Sequence, residues 1–126
     1  MEPHAPHILI VDDNPEILEV VSLMLKRQGL QISTRTRMID FTSEVTVLSP
    51  DLIIIDQHLG WADGCALCAM LKANKNLQHL PVIMFSAYHK MKEQCLFCGA
   101  DAFLAKPFDM HALLGMIRSL TGKPVT

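Results

Sequence analysis

Short runs of apolar residues recur along the chain, and each is followed by a polar or turn-forming residue. His7–Val11, Leu52–Ile55 and Pro81–Phe85 consist mostly of aliphatic and aromatic residues. Runs of this length without polar alternation predict strands that are buried on both faces of a sheet. Leu30–Ser33 and Ala102–Leu104 are weaker runs, and we predict strands there as well.

Between these runs, apolar residues recur at helical spacing. The first helix is predicted to begin at Asn14-Pro15, a cap residue followed by a proline at the first helical position, and to end at Gly29. Four more helices are predicted at Thr36–Leu48, Cys65–Ala73, Tyr88–Cys98 and Met110–Leu120. The threonines and valines of the second helix are poor helix formers. Residues 60–64 are predicted to form a loop.

Five strands alternating with five helices predict an α/β fold with a parallel sheet that is covered on both faces. Right-handed crossovers make such a sheet doubly wound. We expect one domain over residues 7–121. Residues 1–6 are expected to be a flexible lead, and residues 122–126 a tail or the start of a linker.

Composition and charge exclude several classes of protein. The chain has 126 residues, of which 50% are hydrophobic and 19% charged, and its net charge is −2. Without a basic block we expect no direct contact with nucleic acid. The apolar runs are far shorter than the roughly 20 residues of a membrane span, and no secretory signal is visible at the N-terminus. We therefore expect a cytoplasmic protein without a membrane partner.

Chemically useful side chains follow the predicted strands. The first strand is followed by Asp12-Asp13 and the third by Asp56, while the fourth leads into Ser86 and the fifth into Lys106. The carboxyl ends of parallel strands share one edge, where three carboxylates would repel one another without a cation such as Mg²⁺. A lysine and a hydroxyl can hold phosphoryl oxygens. These residues predict metal-assisted phosphoryl transfer to Asp56.

Five segments together resemble a known family. They are Ile8–Asn14, Leu52–Asp56, Asp63-Gly64, Phe85–Ala87 and Gly99–Phe108. In this order they resemble the receiver domain of two-component response regulators, with a likeness to the chemotaxis regulators. The resemblance covers nearly the whole chain. It implies a flavodoxin-like (βα)5 fold with the strand order 2-1-3-4-5, and a signalling module that is switched by phosphorylation.

The resemblance also implies roles for the acidic residues. Asp56 would accept a phosphoryl group from a histidine kinase or a histidine phosphotransfer protein, in a transfer and dephosphorylation that the domain itself catalyses. Asp13 and Asp56 would bind Mg²⁺ or Mn²⁺ directly, and Asp12 would assist through water. The backbone carbonyl of His58 would complete the protein ligands. Such a domain is not an enzyme in the usual sense, because it turns over no separate substrate.

Further expectations from the resemblance concern the switch. Ser86 and Lys106 would each hold a phosphoryl oxygen, and the Lys106–Pro107 bond would be cis. On phosphorylation Ser86 would move, and Phe103 would fill the vacated space. The face made by the fourth helix, fifth strand and fifth helix would then change for a downstream protein target or a fused output domain.

His58 and Tyr88 each lie two residues beyond a site residue. In the resembled family, side chains at these places flank the path of the water that hydrolyses the acyl phosphate. We expect this bulky pair to tune the lifetime of the phosphoryl group. The alternative is that both are ordinary exposed loop residues.

Four cysteines form two C-x-x-C pairs, Cys65/Cys68 and Cys95/Cys98, a spacing that is also found in zinc sites. The first pair is predicted at the start of the third helix and the second at the end of the fourth. The two pairs should therefore lie at opposite ends of the sheet, too far apart to share one zinc ion. We expect the cysteines to serve mainly in core packing.

Two other functions remain as alternatives. A phosphatase-like hydrolase could use Asp56 as its nucleophile, but such enzymes usually carry a second acid two residues later, where this chain has His58. A flavodoxin-like FMN carrier would need a phosphate-binding loop after the first strand. The segment Asp12–Pro15 is anionic there and would repel a phosphate unless a metal intervened.

Overall fold

The computed structural model describes residues 5–122. The strands are β1 His7–Val11, β2 Gln31–Arg35, β3 Leu52–Asp56, β4 His58–Leu59, β5 Ala62–Asp63, β6 Val82–Ser86 and β7 Ala102–Ala105. The helices are α1 Pro15–Lys26, α2 Phe41–Leu48, α3 Gly64–Ala73, α4 Lys92–Phe97 and α5 Met110–Thr121, with a 3₁₀ turn at His89–Met91. The predicted lead and tail fall largely on residues 1–4 and 123–126, which lie outside the described part. Among residues 5–122, no helix has the length and apolar character to cross a membrane.

Five parallel strands form the main sheet in the order β2-β1-β3-β6-β7. When only these five are numbered, the order is 2-1-3-4-5, so the predicted topology is confirmed. The short strands β4 and β5 pair antiparallel as a separate hairpin. Part of the predicted loop at 60–64 is therefore strand. This hairpin lies between β3 and α3, directly after Asp56.

The sheet is buried on both faces, as the unbroken apolar runs predict. Strands β3 and β6 are buried along their whole length. Helices α2, α3 and α4 pack on one face around a cluster that includes Leu9, Ile53 and Met84. Helices α1 and α5 pack on the other face, around Ile10 and Ile54 among others. Successive residues of one strand thus serve opposite layers, which is why these strands carry no polar alternation.

Two helices are shorter than predicted. Helix α2 begins at Phe41 because the carboxylate of Glu44 accepts hydrogen bonds from the Ile39 and Asp40 amides, at 2.9 and 3.0 Å, and Asp40 caps the helix. This reciprocal cap excludes residues 36–40 from the helix. The predicted helix Tyr88–Cys98 begins instead as a 3₁₀ turn, and regular α-helix covers only Lys92–Phe97. Helix α4 therefore starts later, and spans fewer residues, than the sequence pattern indicated.

Candidate functional site: an acidic pocket at the carboxyl edge of the sheet

Three carboxylates meet where β1 and β3 end. Asp12 and Asp13 follow β1, and Asp56 is the last residue of β3, which pairs with β1 in parallel. One carboxylate oxygen from each of the three lies within 4.8 Å of the others. Asp12 and Asp56 are buried, whereas Asp13 is exposed. The pocket that the strand-end pattern predicted is therefore formed, and Asp13 lies on its open side.

Lys106 supplies a positive charge to this pocket from the end of β7. Its Nζ lies 2.7 Å from Asp56 Oδ2 and 2.9 Å from Asp12 Oδ2. The lysine amide donates to the Ser86 carbonyl at 2.8 Å, which ties the end of β7 to the end of β6. The Lys106–Pro107 peptide bond is cis, as expected. The Lys106 side chain thus contacts Asp56, which lies 50 residues away in the sequence.

Burial and the interaction with the opposite charge shift the pKa of Asp56, and that of Lys106, in opposite directions. Burial raises the pKa of Asp56, and hydrogen bonds from Lys106 and from the His58 amide only partly offset this effect. Burial alone would lower the pKa of Lys106, but its hydrogen bonds and charge interactions with Asp12 and Asp56 outweigh burial and raise that pKa. The lysine is therefore held in its charged form, and its hydrogen bond is the largest effect that lowers the pKa of Asp56 against burial.

The β4–β5 hairpin forms the rim of the pocket. The His58 amide donates to Asp56 Oδ1 at 2.9 Å, while the His58 side chain is exposed. The Gly60 amide donates to Asp13 Oδ2 at 3.0 Å. Two of the three carboxylates are thus oriented by backbone amides of one short loop. The Gly60 contact could not be predicted from the sequence, because almost any residue type can donate a backbone amide.

The predicted switch residues lie on β6 and β7. Ser86 is buried, and its Oγ accepts a hydrogen bond from the Tyr88 amide at 3.0 Å. The Tyr88 side chain is 59% exposed. Phe103 is half-buried and packs against the core layer that contains α2, α3 and α4. Ser86 and Phe103 therefore lie on adjacent paired strands.

The donor set suits a hard divalent cation. Carboxylate oxygens are the ligands that Mg²⁺ prefers, and it commonly keeps several waters besides one or two carboxylates. Asp13 on the open side leaves access for such an ion, and the buried Asp12 and Asp56 supply oxygens at the base of the pocket. Lys106 binds oxygens of the same two buried carboxylates, so lysine and cation would share them.

The prediction that the two cysteine pairs lie at opposite ends of the sheet is wrong. Cys65 Sγ lies 3.9 Å from Cys95 Sγ. Helix α4 starts late, and Cys65 and Cys95 each lie nine positions after the last residue of the preceding main-sheet strand, Asp56 of β3 or Ser86 of β6. Because β3 and β6 pair in parallel and α3 and α4 pack on the same face, equal offsets bring the two residues to the same height.

Comparisons with known proteins identify a family that matches most of the chain. Residues 8–118 match the response regulator receiver domain. The chain is 34% identical over 117 residues to the DNA-binding dual master transcriptional regulator RpaA of Synechocystis, covering 91% of this chain and 48% of RpaA. It matches the signal receiver domain of a signal transduction histidine kinase from Syntrophus aciditrophicus with a TM-score of 0.78 and 32% identity, covering 97% and 98% of the two chains.

A third comparison concerns the metal. The receiver domain of the sensor histidine kinase PA1611 from Pseudomonas aeruginosa PAO1 carries a magnesium ion coordinated in its active-site cleft. It matches this chain with a TM-score of 0.78 and 27% identity, covering 94% of this chain and 99% of that one.

The chain belongs to the response regulator receiver domain family, whose members are phosphoacceptor signalling modules of two-component systems. The chain spans about half the length of RpaA but almost the full length of the two solved receiver domains.

Proposed function

We propose that Asp56 is the phosphoryl acceptor of this domain. The observation that carries the proposal is the ion pair between Asp56 Oδ2 and Lys106 Nζ at 2.7 Å, inside a group of three carboxylates. A carboxylate oxygen of Asp56 attacks phosphorus and forms an acyl phosphate, while the donor keeps the electron pair of the broken bond. The donor is a histidine kinase or a histidine phosphotransfer protein.

The surrounding side chains hold the transferred group. Lys106 shifts its hydrogen bond from the carboxylate to a phosphoryl oxygen, and Ser86 Oγ donates to a second oxygen. Because Asp56 is buried and Lys106 is held charged, the acceptor and its countercharge are oriented before the donor arrives. The domain itself therefore catalyses both its phosphorylation and its dephosphorylation.

Mg²⁺ or Mn²⁺ would be held by oxygens of Asp12, Asp13 and Asp56 and by the backbone carbonyl of His58. The bound ion would reduce the repulsion between the carboxylates and the incoming phosphoryl group. The magnesium ion in the PA1611 receiver domain supports this assignment.

Ser86 and Phe103 would carry the signal away from the pocket. When Ser86 turns toward the phosphoryl group it releases the Tyr88 amide, and Phe103 fills the space that is vacated. The face of α4, β7 and α5 then changes for a downstream protein or a fused output domain. We place this module at residues 7–121 of a cytoplasmic protein, without direct contacts to nucleic acid or membrane.

Phosphorylation by a small donor tests the acceptor. With acetyl phosphate and Mg²⁺, intact mass spectrometry should show the gain of one phosphoryl group in the native chain and none in Asp56→Asn. The exposed Glu19→Gln variant on α1 should gain the group as the native chain does. A gain that persists in Asp56→Asn, or no gain from acetyl phosphate or any histidine kinase, would contradict the proposal.

His58 and Tyr88 are proposed to set the lifetime of the acyl phosphate. Their backbone amides bind Asp56 Oδ1 and Ser86 Oγ, and both side chains are exposed at the pocket rim. In His58→Ala/Tyr88→Ala, freer access of water should speed dephosphorylation about fivefold, which corresponds to roughly 1 kcal/mol of barrier. The decay of phosphorylated protein is measured after donor removal, with the exposed His89→Ala as the control. An unchanged rate in the double variant would mean that both are ordinary loop residues.

A further inference from the structure

A cluster of thiols lies in the interface between α3 and α4, apart from the acidic pocket. Cys65 Sγ and Cys95 Sγ are 3.9 Å apart, and both side chains are buried. Cys98 lies near enough to contribute to the raised pKa of Cys65 and is half-buried, so the cluster reaches solvent on that side. Cys68, one turn further along α3, is fully buried. All four cysteines are free thiols.

We propose that Cys65 and Cys95 are an oxidisable pair that forms a reversible disulfide between α3 and α4 when the protein is exposed to a peroxide. One thiol loses its proton, and its sulfur attacks an oxygen of hydrogen peroxide. The O–O bond breaks, the sulfur becomes a sulfenic acid, and the departing hydroxide takes up that proton and leaves as water. The second thiol attacks that sulfur and expels hydroxide, which takes up the remaining proton. Two thiols and one peroxide thus give one disulfide and two waters.

The contact distance suits this pairing. A disulfide bond measures about 2.05 Å, so the two sulfurs must approach each other by roughly 2 Å. Rotation of the two side chains supplies part of this movement, and a small shift of α4 supplies the rest. Helix α4 has six residues, fewer than any other α-helix among residues 5–122, and a 3₁₀ turn connects it to the preceding loop. It can therefore shift with little disturbance of the core.

The surroundings make the reaction slow. Burial, strengthened by the neighbouring sulfurs, raises the pKa of Cys65. Burial also raises the pKa of Cys95; the hydrogen bond with Cys65 lowers that pKa in part, while the charges of Cys98 and Asp63 raise it further. Little thiolate is therefore present at neutral pH, and the thiolate is the reactive form. The pair responds to sustained peroxide and not to a brief pulse.

The disulfide would act on the segment that follows Ser86. Helix α4 begins six residues after Ser86, and Cys98 packs against the same core layer as Phe103. A covalent bond to α3 would restrain α4 in the slightly shifted position that the disulfide requires. This consequence rests on the proposed switch, whereas formation of the disulfide does not.

Thiol counting tests the proposal. The reduced full chain, with a chelator present to exclude metals, is incubated with hydrogen peroxide, quenched in acid, unfolded and alkylated. The native chain should lose two of its four alkylatable thiols, and dithiothreitol should restore them. Peptide mapping should find Cys65 joined to Cys95. Cys68→Ala, a buried neighbour on the same helix, should behave as the native chain, and Cys65→Ala should keep all three remaining thiols.

The proposal would be overturned if all four thiols stayed free, or if dithiothreitol did not reverse the loss. It would also be overturned if the cross-link mapped to Cys65–Cys98, or if the same pairing formed at the same rate in urea. Circular dichroism establishes that each variant is folded, and Cys95→Ala provides a second test if Cys65→Ala is not. Asp56→Asn should oxidise as the native chain does. Loss of the acceptor function therefore leaves the thiol result unaffected.

Discussion

The Lys106→Met variant is expected to accept a phosphoryl group from acetyl phosphate about 10²- to 10³-fold more slowly than the native chain. Removing one preorganised donor from a reacting oxyanion typically costs this much. Lys106 Nζ contacts both buried carboxylates, so it is positioned to neutralise charge on Asp56, the proposed acceptor, and on an incoming phosphoryl group. Methionine retains an unbranched apolar side chain, which isolates the effect of the charge. The rate of mass gain at saturating Mg²⁺ measures the change.

The same substitution should make the fold depend more strongly on Mg²⁺. Without the lysine, Asp12 and Asp56 are two buried carboxylates that have lost their charged partner. We expect a loss of about 1–3 kcal/mol in the free energy of unfolding when a chelator is present, because part of the site faces solvent. Since the ion and Lys106 would share these carboxylates, Mg²⁺ should restore more stability to the variant than it adds to the native chain.

A matched variant controls for loss of charge alone. Lys75 is exposed in the turn after α3, away from the pocket, so Lys75→Met should change neither the rate nor the response to Mg²⁺. Equal phosphorylation rates for Lys106→Met and the native chain would contradict the role of the ion pair. Equal stabilisation of both proteins by Mg²⁺ would contradict competition for the carboxylates.

Much of the fold was predictable because its strands are buried on both faces. The apolar runs ending at Val11 and Ile55 leave no alternative face for polar residues, so strand type and parallel pairing follow. The meeting of Asp12, Asp56 and Lys106 followed from the rule that parallel strands end at one edge. The convergence of these three side chains could therefore be predicted from the strand ends alone, without knowledge of any tertiary contact.

The contacts that sequence reasoning missed depend on where helices begin. The cap at Asp40 and Glu44 delayed α2, and the 3₁₀ turn at His89–Met91 delayed α4. The second delay brought Cys95 level with Cys65 and reversed the expected separation of the cysteine pairs. Helix boundaries are set by a few local hydrogen bonds, whereas periodicity mainly reports the middle of an element. The offsets of Cys65 and Cys95 from their strand ends can be counted in the sequence, but the height of each residue also depends on where its helix begins, which the pattern does not give.

Gly64 marks a close approach of two backbones beneath the pocket. Its amide donates to the Gln57 carbonyl at 2.9 Å. A Cβ at position 64 would overlap the Asp56 carbonyl oxygen and would lie 2.9 Å from Gln57 Cα. These are backbone atoms at the end of β3, and they cannot move aside as a flexible side chain would. Gly64 in the Asp63-Gly64 pair therefore meets a steric requirement at the end of β3.

We expect Gly64→Ala to lower the free energy of unfolding by about 3 kcal/mol, at the upper end of the usual cost of overpacking, because the clash falls on backbone. Urea denaturation measures this loss. Gly115→Ala is the matched control, since a Cβ there meets nothing within 4 Å inside α5. It should stabilise the domain by about 0.5–1 kcal/mol through helix propensity. If Gly64→Ala were as stable as the native chain, the backbone at the end of β3 would have to move aside at little cost. The close approach of Gly64 would then not fix the position of Asp56.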